Sequence, residues 1–391
     1  MGNKKKIGVG VIVVGIFFLT VLFYAPLHQA FIDPFIDLSV KIQSRLVQKK
    51  ETQTGVEQPN MNVSVQMPQI VATNLEVPWE IVFLPDETMI ISQRTGSLVH
   101  VDPQQRKQIP VQGVEHIGEG GLLGVALHPD FLSNQELYVY ITVQKGNEYT
   151  NQIERFRLED DQLLDRQVIL SNIPGAALHD GGRILFGPDG KLYITTGDAG
   201  HPASAQDTSQ LSGKILRLND DGTVPADNPF GNAVYSYGHR NPQGLAWDED
   251  GNMWATEHGP SGLESGFDEI NLIVRGGNYG WPTISGDKEQ DGLISPVIHS
   301  GENETWAPTG LVALNDTLIF AGLRGEALYL VKRNASELEA PVALFKNTYG
   351  RLRAVTIGPD NFLFFSSSNT DGRGSDRIDD DHVYTIDPAF L

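Results

Sequence analysis

The chain has 391 residues, 40% of them hydrophobic, which is enough for one large domain or two average ones with a substantial buried core. Its formal net charge of −20 argues against a nucleic-acid partner and against adhesion to anionic lipid headgroups. The absence of Cys excludes disulfides, thiolate metal sites and cysteine nucleophiles, and 41 Gly with 22 Pro favour tight turns over long helices.

At the N-terminus, Lys4, Lys5 and Lys6 precede an uncharged apolar run from Ile7 to about Leu27. Such a run is close to the roughly 20 residues that span a bilayer. A basic flank stays on the cytoplasmic side, so the remainder is expected outside the cytoplasm, periplasmic or at the cell surface. A cleaved signal peptide would want a shorter apolar core and small residues before the cut, and His28-Gln29-Ala30 lacks the small residue at the −3 position. Residues 1–30 are therefore expected to form an uncleaved transmembrane anchor. Residues 31–70 are expected to form a juxtamembrane stalk, with a short amphipathic helix over 31–45 and then a polar, Gln-rich stretch. The compact body is expected over 71–391.

Inside that body one pattern recurs. An apolar residue leads into a Pro-Asp or Asp-Gly turn and then a hydrophobic strand. It occurs at Phe83-Leu84-Pro85-Asp86, Leu127-His128-Pro129-Asp130 and Phe186-Gly187-Pro188-Asp189-Gly190. It returns at Trp247-Asp248-Glu249-Asp250-Gly251, Leu314-Asn315-Asp316 and Ile357-Gly358-Pro359-Asp360. Six copies spaced by about 43 to 67 residues fit propeller blades with insertions. Most copies are followed by a further apolar strand, as at Ile215-Leu216-Arg217-Leu218, 327–331 and 382–386. Short strands, regular turn signals and no convincing helix predict an all-β, six-bladed propeller. A propeller brings equivalent loops together at one mouth of its channel, which is the natural place for a site.

The loops between these strands carry the chemical residues. In order they are 118–124 with Glu119, 178–183 with His179, 196–200 with Asp198, and 238–244 with Arg240 and Asn241. After them come 257–260 with Gly259 and Pro260, 322–325 with Arg324, and 351–353 with Arg351 and Arg353. Arg351 and Arg353 stand two apart, so on a strand they share one face. Guanidinium groups bind carboxylates through paired hydrogen bonds. Imidazole, with a reference pKa of about 6.5, suits a general base near neutral pH.

Together with Gly277-Asn278-Tyr279-Gly280-Trp281-Pro282, this ordered set resembles the soluble quinoprotein glucose/sorbosone dehydrogenase family over about residues 75–387. The resemblance implies a six-bladed propeller that uses pyrroloquinoline quinone (PQQ) and Ca2+ to oxidise a sugar. It implies His179 as the general base at the sugar C1 hydroxyl, Asp198 as its carboxylate partner, and Arg240 beside them at the reacting centre. It implies PQQ contacts from Glu119, Arg240, Asn241, Arg324, Arg351 and Arg353, and Ca2+ held by the carbonyls of Gly259 and Pro260. The electrons would leave to an external acceptor, a quinone or cytochrome, near which the anchor would hold the enzyme.

Two positions depart from the glucose-oxidising pattern. Glu119 stands where a Gln is expected and Arg324 where a Lys is, which points to the aldose dehydrogenase branch rather than to glucose. Glu facing an anionic cofactor is repulsive unless it is protonated, salt-bridged or bound to Ca2+. His239 and His258 flank the site segments and are read as structural. The acidic run 376–381 is read as a solvated loop. Two other functions fit a propeller: a Ca2+-dependent lactonase, which has no use for clustered arginines, and a non-enzymatic carbohydrate- or protein-binding module.

Overall fold

A Pro-Asp or Asp-Gly turn reverses the chain, and the two apolar runs it joins then satisfy each other's backbone groups as an antiparallel pair. The computed structural model of the protein describes residues 67–260, 265–334, 337–375 and 380–391. These residues fall in one compact unit. The expected anchor, and all of the stalk before residue 67, lie outside the described residues. Among the described residues no helix is long and apolar enough to cross a membrane.

Six antiparallel sheets follow in chain order. The first blade holds β2 (Pro78–Phe83), β3 (Met89–Gln93), β4 (Ser97–Val101) and β5 (Arg106–Pro110). The second holds β6 (Leu122–Leu127), β7 (Glu136–Lys145), β8 (Glu148–Glu159) and β9 (Gln162–Pro174). The third holds β10 (Ile184–Phe186), β11 (Leu192–Thr196), β12 (Lys214–Leu218) and β13 (Val234–Tyr237). The fourth holds β14 (Pro242–Trp247), β15 (Met253–Glu257), β16 (Glu269–Ile273) and β17 (Ile298–His299). The fifth holds β18 (Pro308–Leu314), β19 (Thr317–Gly322) and β20 (Ala327–Asn334), with short β21 (Glu337–Leu338) and β22 (Val342–Leu344) on its edge. The sixth holds β23 (Leu352–Ile357), β24 (Leu363–Ser367) and β25 (Val383–Ile386) and is completed by β1 (Gln69–Ala72). This is the expected six-bladed propeller. β1 begins at Gln69, two residues before the boundary placed at 71.

All six sequence motifs are the turn between the first and second strands of a blade. The further apolar strands at 215–218, 327–331 and 382–386 are third strands. Six apolar cores lie between successive blades, one at each interface. A strand therefore feeds two cores with alternate residues. Leu216 packs between the second and third blades, and Ile215 between the third and fourth. Both faces are buried, so β12 is covered along its whole length. The inner strands approach one another closely. A Cβ at Gly124 would lie 2.4 Å from Gly182 O, and one at Gly244 would lie 2.3 Å from Thr309 O.

This topology also sorts the loops. Strands alternate in direction, so the motif turns lie at one end of the blades. The loop after each second strand and the entry into each first strand lie at the other end, where all the candidate residues fall.

The ring closes where β1 pairs with β25, with Gln69 opposite Thr385, Ile70 opposite Tyr384 and Ala72 opposite Val383. Deleting Gln69–Ala72 is expected to destabilise the protein by about 1–3 kcal/mol through lost ladder hydrogen bonds and an exposed β25 edge. Thermal denaturation reads this as a Tm lower by several degrees.

Candidate active site

His179 precedes β10 in a left-handed conformation (φ +60°). The loop after β11 lies against its main chain. A Cβ at Gly197 would sit 1.8 Å from His179 O, so only glycine fits there. This contact delivers Asp198. The His179 Nδ1 lies 2.7 Å from Asp198 Oδ1. Because the carboxylate only accepts, Nδ1 carries the proton, and in the neutral tautomer this selects the lone pair lies on Nε2. Asp198 is fully buried and its oxygens also accept from Gly200 N (2.9 Å) and Trp281 Nε1 (2.8 Å). Burial penalises its charge, but the hydrogen bond and attraction from His179, with those of Gly200 and Trp281, outweigh this and hold the carboxyl below its ordinary value. The His179 side chain is 15% exposed, so the base is reachable.

Arg240 is buried beside this pair. Its guanidinium lies 5.4 Å from the centre of the Trp281 ring, its Nη1 donates to His258 O (3.4 Å), and its main-chain N–H donates to Glu257. Trp281 thus touches both Asp198 and Arg240. The sequence reading used it only as part of a motif.

The other arginines gather at the same end. Arg351 grips Asp371 in a bidentate pair (Nε to Oδ1 3.1 Å, Nη2 to Oδ2 2.7 Å). Arg353 donates to Asp371 Oδ2 (3.3 Å) and to Ser368 Oγ (2.9 Å). Arg94 donates to Asp371 O (3.0 Å) and to His116 (3.1 Å). Burial pulls Arg353 down to about 9, with Asp371 opposing and Arg94 and Arg351 reinforcing the fall. Burial opposes ionisation of Asp371, yet Arg351 and Arg353 hold its carboxyl well below the ordinary range. Arg324 is half-buried near Arg351 and Arg373, and among the described residues its guanidinium has no hydrogen-bond or ion-pair partner. Arg94, Arg324, Arg351, Arg353 and Arg373 supply five positive charges. Among the described residues the one carboxylate that pairs with Arg94, Arg324, Arg351 or Arg353 is Asp371, an excess of three positive charges among those four arginines and Asp371, while Arg373 pairs with Glu119.

Glu119 is ionised and salt-bridged. Its Oε1 takes Arg373 Nη1 at 2.7 Å, and its Oε2 accepts from His179 N (2.9 Å) and Asn241 Nδ2 (3.3 Å). Burial opposes the charge, but Arg373, His179 and His258 outweigh it and hold the carboxyl far below the usual range. Asn241 is fully buried, and its Oδ1 accepts from Gly181 N at 3.0 Å.

The Gly259 N–H donates to Asp268 Oδ1 at 2.9 Å, and Asp268 Oδ2 accepts from Thr305, Trp306 and Ala307. The segment is thereby fixed. Among the described residues neither the Gly259 nor the Pro260 carbonyl accepts a hydrogen bond. His239 is structural, as read: it bridges Glu257 and Ser236 at 2.8 Å each and stacks on Tyr279. Burial lowers His258 to about 4, and its Nε2 is buried without a partner among the described residues. The acidic run differs from its reading where it is described. Asp381 is fully buried and accepts from Asn369 N (2.6 Å) and Thr370 Oγ1 (2.6 Å), because the chain after β24 turns its polar groups inward onto it. Residues 376–379 lie outside the described residues.

Sequence reasoning missed Arg94, Asp371, Arg373 and Trp281. A signal for the first two was present. Arg94, Asp198, Gly259, Arg324 and Asp371 stand eight to eleven residues after Asp86, Asp189, Asp250, Asp316 and Asp360 of the repeated turns. That is one strand's length away, at the opposite end of the blade.

Fold and site together define an all-β propeller whose loops join a carboxylate-oriented imidazole to a cationic cradle. The glucose/sorbosone dehydrogenase family model matches residues 75–376. Quinoprotein glucose dehydrogenase B of Acinetobacter calcoaceticus is 37% identical over 274 residues, covering 61% of this chain and 56% of that protein. Aldose sugar dehydrogenase YliI of Escherichia coli is 30% identical over 339 residues, covering 78% of this chain and 90% of its own. The PQQ-bound form of aldose sugar dehydrogenase from Streptomyces coelicolor matches with a TM-score of 0.76 at 38% identity, over 81% of this chain and 96% of that one. The chain belongs to the glucose/sorbosone dehydrogenase family and is a sugar dehydrogenase, an oxidoreductase.

Two outcomes are expected. Trp281→Phe removes the hydrogen bond to Asp198 while keeping an aromatic ring near Arg240, and steady-state turnover should fall roughly tenfold. Asp180 is buried, its Oδ1 accepts from Asn151 and Ala176, and its Oδ2 has no partner among the described residues. Burial raises its pKa from 3.8 to about 7. A carboxyl raised on folding contributes stability that is complete below its unfolded pKa and is lost as pH rises through the folded one. Wild-type Tm should therefore drop relative to Asp180→Asn between pH 4 and pH 7.

Proposed function

We propose that this enzyme oxidises aldose sugars at C1 to lactones with PQQ and Ca2+, passing the electrons to an external quinone or cytochrome. The observation that carries the reading is the excess of three positive charges in the arginine cradle of a chain whose net charge is −20. PQQ bears three carboxylates, and a cation-rich, water-poor cradle favours such an anion. Similar proteins are named for the same chemistry: a quinoprotein in Acinetobacter and a PQQ-bound form in Streptomyces.

The residues fit the two groups in distinct ways. Arg324, Arg351 and Arg353 would hold PQQ carboxylates, with Arg240 and Asn241 at the edge nearer the base. The Gly259 and Pro260 carbonyls are hard oxygen donors without hydrogen bonds among the described residues, as Ca2+ prefers. Held there, PQQ would supply the hydride acceptor and Ca2+ a Lewis acid beside it.

The protein's own part is proton handling and orientation. His179 Nε2 faces the sugar with its lone pair free and takes the proton of the C1 hydroxyl. Asp198 stabilises the imidazolium that forms and keeps the ring in one tautomer. Trp281 and Gly200 keep Asp198 ionised and fixed, so the ring does not turn away.

The test is a titration of the full-length protein in detergent with PQQ and Ca2+, followed by aldoses and a redox dye. Sugar-dependent dye reduction that disappears with a chelator and returns with Ca2+ is the expected result. Absence of PQQ binding would sink the reading. His179→Ala is expected to bind PQQ within a few-fold of wild type while kcat drops by about 10^2–10^4. The lysines and apolar run at the N-terminus support a tether that keeps the catalytic domain outside the cytoplasm. Membrane fractions should then retain the protein after alkaline carbonate washing.

A further inference from the structure

We propose that Glu119 and Arg373 form a clamp that positions the catalytic base, with Glu119 acting on His179 rather than on the cofactor. The inference rests on the function proposed above and concerns the same site.

The geometry ties four blades together. Glu119 lies in the entry to β6, and its own N–H donates to Ala177 O at 3.0 Å. Beside it, Gly118 packs so tightly that a Cβ would lie 2.0 Å from Ala177 O. The entries to the second and third blades are thus zipped together just before His179. Glu119 Oε2 then accepts the His179 main-chain N–H and the Asn241 side chain from the fourth blade. The other oxygen takes Arg373, from the loop after β24 in the sixth blade. The Arg373 main-chain N–H in turn donates to Asp371 Oδ1 at 2.9 Å, the carboxylate that carries Arg351 and Arg353. A continuous chain of contacts therefore runs from the base to the arginine cradle.

Charge gives the pair its purpose. A Glu side chain 15% exposed, beside a cradle for an anion, is repulsive to that anion unless a cation balances it. Arg373 supplies that balance from a side chain 35% exposed. The carboxylate is then free to accept two hydrogen bonds that fix His179 and Asn241, and charge-assisted bonds of this kind are the stronger ones.

The test is a double-mutant cycle on the full-length protein with Glu119→Gln, Arg373→Ala and the pair combined. Dissociation constants for PQQ are read by quenching of tryptophan fluorescence, and kcat and KM for an aldose are read separately. Glu119→Gln keeps an acceptor for His179 N–H without the charge. It should leave PQQ affinity equal or tighter and lower kcat several-fold, with KM within about twofold. Arg373→Ala leaves Glu119 unbalanced and should weaken PQQ roughly tenfold. Adding Glu119→Gln to Arg373→Ala should restore the affinity to within about threefold of wild type. Additive losses would make Arg373 a direct PQQ ligand and overturn the clamp. A tenfold weakening by Glu119→Gln alone would make Glu119 a cofactor contact and overturn it equally. Failure of wild type to bind PQQ would instead count against the proposed function. The clamp is then judged on Tm of the four cofactor-free proteins: relief of the Arg373→Ala loss by Glu119→Gln supports it, and independent effects refute it.

Discussion

Burial of each blade against the next on both faces is the constraint from which the rest follows. No blade has a core of its own. Each interface joins residues from two sheets, such as Leu216 with Tyr138, or Leu328 with Phe365. Alternate residues of one strand serve different cores, so strand register and blade order are fixed together. Inner strands then crowd the axis, where glycines admit the neighbouring backbone. Loops at one end are held within hydrogen-bond range of loops from blades distant in sequence. The site is built from such loops together with Arg353 at the start of β23, and its precision comes from the packed sheets beneath them.

Electrostatics at that end run against the rest of the molecule. An acidic chain places five guanidinium groups together and lets one buried carboxylate, Asp371, hold two of them. Two buried arginines sharing one anion cost desolvation that a fully paired network would recover. The arrangement leaves a positive potential at that end of the blades. Asp198 shows the opposite design. Its oxygens take His179, Gly200 and Trp281, so its charge is fully used within the protein.

The fold was legible because its signals are local. Each repeated turn marks one hairpin, five with Pro-Asp or Asp-Gly and one with Asn315-Asp316, and counting the six counted the blades. His179, Asp198, Arg240 and the Arg351/Arg353 pair were found because they sit in loops with recognisable neighbours. The meaning of Glu119 was not legible, since its partner Arg373 lies in a different blade and no local pattern links the two. Asp371 and Arg94 were overlooked for a related reason. Their roles come from pairing across the ring, and each alone looks like an ordinary charged loop residue. His258 carries no local signature either, and its buried Nε2 has no partner among the described residues.

The pairing of β1 with β25 bears on the order of assembly. Ala72 meets Val383, so the last blade cannot be completed until nearly the whole chain has been synthesised. The base also needs the second, third, fourth and sixth blades in place through Glu119, Asn241 and Arg373. Contacts of such long sequence separation form late and slowly. A nascent chain can therefore collapse blade by blade without acquiring a competent site. Activity arrives in a single late step, when the two ends of the body meet in one sheet.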